Sequence, residues 1–167
     1  MWELLGHDAR LDRDLYRVAR ASVAELPEAL RVPSRHYVAL VLADATAWSD
    51  AQAHRLAACL LGGGAVHVSV WGPGSGRLQD VLDDAVLVAE GSQSDETLVT
   101  TLAHAGSLDE ALCFLLTGTA VAPAYDATCR AAVVLDLGMP GLAAAVRERL
   151  ADPGGFVSLR SLEIGLA

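Results

Sequence analysis

The sequence predicts an α/β fold: a three-layer, doubly wound, Rossmann-like sheet of about five or six mostly parallel strands, with an amphipathic helix at its N-terminus. Three observations carry this expectation. Strand-length runs of Val, Leu and Ala recur along the chain, and helix-period patterns separate them. Two capping boxes, Ser49 with Gln52 and Ser107 with Glu110, mark helix starts after such runs.

Residues 1–34 read as a helical extension packed on a single domain that spans 1–167. Leu11, Leu15, Val18, Ser22 and Leu26 fall near one stripe, with Arg10, Asp12, Arg13, Asp14, Arg17 and Arg20 elsewhere, and Pro27 ends the pattern. Pro33 marks entry into the first strand, 37–43, whose unbroken apolar run suits a central position covered on both faces. Beyond Ser49, a helix carries Ala53, Leu56, Ala57, Leu60 and Leu61 on one face and stops at Gly62-Gly63-Gly64. The second strand, 65–71, alternates Val66, Val68 and Val70 with His67, Ser69 and Trp71. A glycine turn then leads to a short helix at 77–84, a third strand at 85–89 and a polar loop through Gly91 and Asp95.

The second half repeats the alternation. A fourth strand is expected at 98–102, followed by the helix that Ser107 opens, with Leu108, Ala111, Leu112, Leu115 and Leu116 on one face. A connector over 118–128, a strand at 131–137 and a helix at 141–150 come next. Asp152-Pro153-Gly154-Gly155 reads as a break before a last strand near 156–162.

Composition narrows the function classes. At 53% hydrophobic residues and a mean hydropathy of +0.36, the chain can bury a sizeable core. No apolar run approaches the roughly 18 to 20 residues of a membrane span. The first residues hold neither the basic region nor the apolar stretch of a secretion signal, so a cytoplasmic location is expected. Twelve basic residues, all arginine, face 21 acidic ones for a net charge of −9. Without lysine there is neither a P-loop nor a Schiff-base amine, and nucleic acid and anionic membrane would be repelled. The heavy use of Ala, Leu, Val, Gly and Arg matches GC-rich bacterial coding. Cys59, Cys113 and Cys129 lack metal-ligand or disulfide spacing and read as structural thiols.

In a doubly wound sheet, ligands bind outside the carboxyl ends of the strands where the order reverses, here expected between the first and fourth strands. The loops at that crevice bring Asp44, Trp48, Thr101 and His104 within reach of one another. Asp44 directly follows a buried strand, where a carboxylate is either a functional group or a cap for the next turn. Gly72-Pro73-Gly74-Ser75-Gly76-Arg77, next to Trp71, is similar to a dinucleotide fingerprint, with Glu90 in the place of its acidic residue. Arg77 stands where the third motif glycine belongs, and the expected helix is too short for that role. The turn is then either purely structural or a set of amides able to meet an anion, with Arg77 as counter-charge. Asp80, Asp83 and Asp84 form a solvated acidic face, and the histidines lack the spacing of metal ligands. No metal and no cofactor are expected.

Val133-Val134-Leu135-Asp136-Leu137-Gly138-Met139-Pro140-Gly141 resembles the phosphoacceptor segment of response-regulator receiver domains, which would make Asp136 a phosphorylation site. The resemblance stops there: Asp44 has no acidic neighbour, and the lysine receivers use is missing. Asp136 then closes a strand, with Pro140 near the start of the following helix. A wider similarity rests on Val70-Trp71-Gly72-Pro73 through Asp80 to Asp83, and on Thr100-Thr101 through Leu108-Asp109-Glu110-Ala111-Leu112. Over roughly 37–117 the chain resembles an uncharacterised family of small bacterial α/β domains, and that resemblance implies no activity. The family pattern has histidine where this chain has Gln79, and Trp-His where it has Leu102-Ala103-His104.

The expectation is therefore a non-catalytic, intracellular bacterial module for protein interaction or regulation, through a protein partner or self-association. The alternative is a small-molecule or nucleotide-binding enzyme at the ends of the first and fourth strands. There Asp44 or His104 would act as acid or base, and Thr101 would position the substrate.

Overall fold

A computed structural model describes residues 2–90 and 99–165 of the chain. Six strands form one sheet: β1 (Trp2–Asp8), β2 (Arg13–Arg20), β3 (His36–Ala43), β4 (Ala65–Trp71), β5 (Thr100–His104) and β6 (Cys129–Leu137). The helices are α1 (Asp50–Gly62), α2 (Ser75–Glu90), α3 (Leu108–Thr117), α4 (Ala143–Ala151) and α5 (Pro153–Gly165). The sheet order is β1-β2-β6-β3-β4-β5, with every neighbouring pair parallel except β1 with β2. The α/β class and the mostly parallel sheet thus hold.

β3 lies inside the sheet, and its residues from Tyr37 to Ala43 are all buried, as its unbroken apolar run requires. Its alternate side chains feed two cores. Tyr37, Ala39 and Val41 pack with Leu56 and Leu60 of α1 and Leu78 and Leu82 of α2. Val38, Leu40 and Leu42 pack with Leu112 and Leu115 of α3 and Val146 and Leu150 of α4. Each fully buried leucine contributes roughly 1.5 to 3 kcal/mol. Ser49 and Ser107 cap α1 and α3 as expected, each accepting from the amide three residues on while the Gln52 or Glu110 side chain accepts from the cap's own amide.

The N-terminal helix is corrected to a β-hairpin. Leu11, Leu15, Val18, Ser22 and Leu26 satisfy a helical stripe, but β2 pairs with β6 from Asp14↔Ala131 to Arg20↔Leu137, and that ladder prevails. Asp12, in the left-handed region at φ 51°, makes the tight turn into it, while Asp8 holds the Arg10 amide and guanidinium. Arg13 and Arg17, which a helix would have exposed, are buried.

The expected third strand at 85–89 is instead the end of α2, a helix of 16 residues. Leu78, Leu82 and Val86 recur at a spacing of four and are buried, which a strand could not arrange. The expected last strand at 156–162 belongs to α5. The break before it is a helix start: the Asp152 carboxylate accepts from the Gly155 amide, with Pro153 at the first helical position. The fourth strand sits two residues later than expected, at Thr100–His104. Gly91, Asp95 and Leu98 lie outside the described residues.

Candidate functional site

The path of the chain beyond each strand decides where a cleft can open. After β2 the chain carries Val23 and Leu26 into the α1/α2 core, and β3 runs on to α1 on that same face. β6, between them, leads to α4 on the opposite face. Neighbouring backbones therefore diverge at the carboxyl end of β6, the arrangement that leaves crevices in parallel sheets. A cleft of about 700 Å³ lies between the ends of β2 and β6, lined among others by Arg17, Arg20, Glu25, Asp136, Gly138 and Met139.

The cleft floor is a charge network in which Arg17 Nε is buried without a partner among the described residues. The Arg17 guanidinium donates to Asp136 Oδ2 at 2.6 Å, and both side chains are buried. Asp136 Oδ1 accepts from the Met139 amide at 2.9 Å, which folds the chain back directly after β6. Gly138 makes that reversal at φ +79°, its amide donating to the Arg20 carbonyl; a Cβ there would lie 2.9 Å from the Ala21 carbonyl oxygen. Arg17 also meets Glu3, which in turn accepts from Arg147. The hydrogen bond from Arg147 is the main influence holding the Glu3 carboxyl below its usual range, against its partial burial. Charges alternate along Arg147, Glu3, Arg17 and Asp136, so this network is internally neutral.

The remaining charged groups are less committed. Arg20 gives one hydrogen bond, to the Ala19 carbonyl, and Glu25 Oε2 accepts from the Ala21 amide. The other Arg20 donors and Glu25 Oε1 have no partner among the described residues. Among the described residues no serine, cysteine or histidine lines the cleft, and both Asp136 oxygens are occupied. The arrangement can bind and orient a polar ligand, with the Glu25 carboxylate as its one carboxyl group that keeps an open oxygen among the described residues.

The residues singled out from sequence fall elsewhere and divide between the two sheet faces. Asp44 is exposed and accepts from the Thr46 hydroxyl and amide, bonds that hold its carboxyl below the usual range. That is the capping arrangement. Gly72 and Gly74, both at positive φ, let the β4–α2 turn press against the backbone of Ala43 and Ala45; the Ala45 amide donates to the Pro73 carbonyl. Arg77 donates to the Trp48 carbonyl and pairs with Asp50, tying the same turn to the start of α1. Trp48, Gly72, Gly74 and Arg77 therefore come together, while Gly76 has open space around it.

Thr101 and His104 stand three residues apart on β5 and so point to opposite faces. Thr101 donates to Asp83 of α2, and His104 packs edge-on against Phe114 of α3. β4 separates β5 from β3, placing the two strands about 10 Å apart. The hydrogen bonds of Asp44 go to Thr46, and none joins it to His104. Trp71 lies on the His104 side, its indole N–H donating to the Gly106 carbonyl at 2.9 Å.

Beneath α3 lies a second buried polar group. His67 Nδ1 meets Thr100 Oγ1 at 2.7 Å, while Nε2 of His67 and of His104 are buried without a partner among the described residues. Burial, and secondarily His104 and Arg13, push the His67 imidazole down to about 4. Burial also lowers His104, against the opposing charge of Glu110. Among the described residues no group of three His, Cys, Asp or Glu side chains could hold a metal ion.

Sequence reasoning missed Arg17 and Arg20 because a helical reading of 1–34 sets their charges off the apolar stripe, and it gave Glu25 no place. A usable signal was the strand alternation of Arg13, Leu15 and Arg17 against Asp14 and Tyr16. Asp136 was noticed, through the receiver-like segment, but without its partner.

No curated protein and no solved structure matches the chain. A family model described as a domain of unknown function, DUF7684, matches residues 16–153. That span runs from β2 into α5 and contains Arg17, Arg20, Glu25 and Asp136, while Glu3 lies before it. The expected membership of an uncharacterised family holds: the chain belongs to the DUF7684 family.

Proposed function

We propose that this chain is a non-catalytic regulatory module that binds a small dipolar ligand in the cleft between the ends of β2 and β6. The observation that carries the reading is the contrast within the cleft. Arg17 and Asp136 neutralise each other in its floor, whereas Arg20 and Glu25 keep open donor and acceptor sites at its wall. A ligand that satisfies both carries an anionic group, carboxylate or phosphate, together with a donor or ammonium. An amino-acid-like zwitterion has that form. The neutral floor keeps the site from attracting simple anions on charge alone.

The finer fold expectation is part of this reading. Insertion of β6 between β2 and β3, with helices on both faces, supports a doubly wound, three-layer sheet with its binding crevice at the reversal of strand order. A cytoplasmic setting is supported by free Cys59, Cys113 and Cys129. Among the described residues no helix is long and apolar enough to cross a membrane. The lysine-free, arginine- and alanine-rich composition supports a bacterial source.

A thermal-shift panel of amino acids, dicarboxylates and nucleoside monophosphates tests the reading. At a hundred times its Kd a true ligand adds about 2.7 kcal/mol to native stability. For a chain of this size that is a rise in Tm of about 5 to 10 °C. The rise is expected for a zwitterion and should disappear in Arg20→Gln. A rise undiminished in both Arg20→Gln and Glu25→Gln, or no rise with any member, contradicts the proposal.

A further inference from the structure

α1 and α2 pack side by side on one face of the sheet, and their last turns leave a groove of about 480 Å³ between them. Ala58 and Leu61 of α1 and Ala85, Val88 and Ala89 of α2 line it, with His54 and Asp84 at its rim. The apolar surface extends past the groove, since Val88 is 84% and Leu87 63% exposed. α2 already buries Leu78, Leu82 and Val86, so packing among the described residues gives Leu87 and Val88 no role.

Asp84 is the charged side chain among the residues that line the groove. Asp80, Asp84 and Val88 recur every fourth residue of α2 and share its outer face. Asp80 and Asp84 are exposed, and neither has an ion-pair partner among the described residues. The cations nearby are already engaged: Arg77 by Trp48 and Asp50, and Arg55 by the carbonyls of Ala24 and Leu26. His54 Nδ1 meets the Asp50 carbonyl.

We propose that this face docks an amphipathic helix of a protein partner, whose apolar side fills the groove and whose arginines or lysines meet Asp80 and Asp84. A trough between two packed helices, apolar at the end of an acidic ridge, suits a third helix laid across it. A second copy of this chain fits poorly, because it would offer engaged cations and a net charge of −9 to an acidic ridge. Anionic lipid and nucleic acid are disfavoured by the same ridge.

The test uses the full chain and two synthetic helical peptides of the same leucine pattern, one with arginine on its polar face and one with glutamate, read by fluorescence anisotropy. The arginine peptide should bind and the glutamate peptide should not. Asp80→Asn with Asp84→Asn should weaken binding about three- to tenfold. Val88→Asp should weaken it at least tenfold, although it adds a negative charge. That sign separates docking from loose attraction between a basic peptide and an acidic protein, which Val88→Asp would strengthen. Val88 is exposed, so the variant keeps the fold. Undiminished binding in Val88→Asp, equal binding of the two peptides, or a concentration-dependent dimer that Val88→Asp abolishes would each overturn the proposal, the last in favour of a second copy.

Discussion

Arg17 of β2 and Asp136 of β6 meet at 2.6 Å with 8% and 3% of their side chains exposed. A buried pair of this kind is weak as net stabilisation but costly to break from one side, because the remaining charge stays in a poorly solvating site. Arg17→Met leaves Asp136 and Glu3 without this guanidinium and should lower unfolding stability by about 3 kcal/mol. In urea titrations, Arg17→Met combined with Asp136→Asn should lose less than the sum of the single losses, since the stranded charge is gone. Strict additivity would show that the two groups do not act as a pair.

Stability should fall on mild acidification because of His67. Its imidazole is pushed down to about 4 when folded, against an unfolded value near 6.5. Between those values the unfolded chain holds a proton that the folded chain lacks, so stability is full above about pH 6.5 and declines as pH falls towards 4. The loss assigned to this residue is of order 3 kcal/mol, with a further contribution of the same sign from His104. Urea midpoints measured from pH 7.5 to 4.5 should fall, and less steeply in His67→Gln. Equal slopes in the two proteins would remove His67 as the cause.

The glycine turn after β4 makes a contrasting pair of predictions. Gly72 lies at φ +121° against the Ala43 carbonyl, whereas Gly76 has nothing within 4 Å and sits in the first turn of α2. Gly72→Ala should cost about 2 kcal/mol or more through strain and collision. Gly76→Ala should be neutral or stabilise by up to about 1 kcal/mol, as helix propensity favours alanine. Thermal melts of the two variants should therefore move in different directions or by clearly different amounts.

Both capping boxes are complete, so Ser49→Ala and Ser107→Ala should each cost about 1 kcal/mol. Hydrogen exchange should show the loss as faster exchange at the Gln52 and Glu110 amides respectively. Unchanged protection there would show that solvent replaces the serine hydroxyl without cost.

The parts of the fold legible in the sequence were those where one local pattern had no rival. β3 and β6 are largely apolar runs and β4 is an alternation of valines with other residues, each bounded by turns, and α1 and α3 begin at capping boxes. Where two periods fitted the same residues, long-range pairing decided. Leu15 and Val18 suit a helix stripe and equally the two faces of β2, and only the ladder to β6, more than a hundred residues later, selects the strand. The valine-rich end of α2 resembles a strand because Leu87 and Val88 are exposed, an arrangement that core packing alone does not anticipate.

The cleft was hidden for the same reason as the hairpin. Its position depends on β6 entering the sheet between β2 and β3, and its charged wall comes from the segment read as a helix. Sequence reasoning expected the reversal of strand order between β3 and β5, whereas β4 separates those two strands. Asp44 and the glycine turn attract attention in sequence because they terminate buried strands. In the structure they are engaged with Thr46, Ala43, Ala45 and Pro73.

Amide chemical-shift mapping, with the zwitterion that most raises Tm titrated into the isotopically labelled chain, tests the central claim most directly. Binding in the cleft predicts the largest shifts at Ala21, Glu25, Gly138 and Met139, with Gly72 to Arg77 and the α1/α2 groove unmoved. Largest shifts at Asp44 and Gly72 to Arg77, with Gly138 and Met139 unchanged, would contradict it and move the site to the ends of β3 and β4.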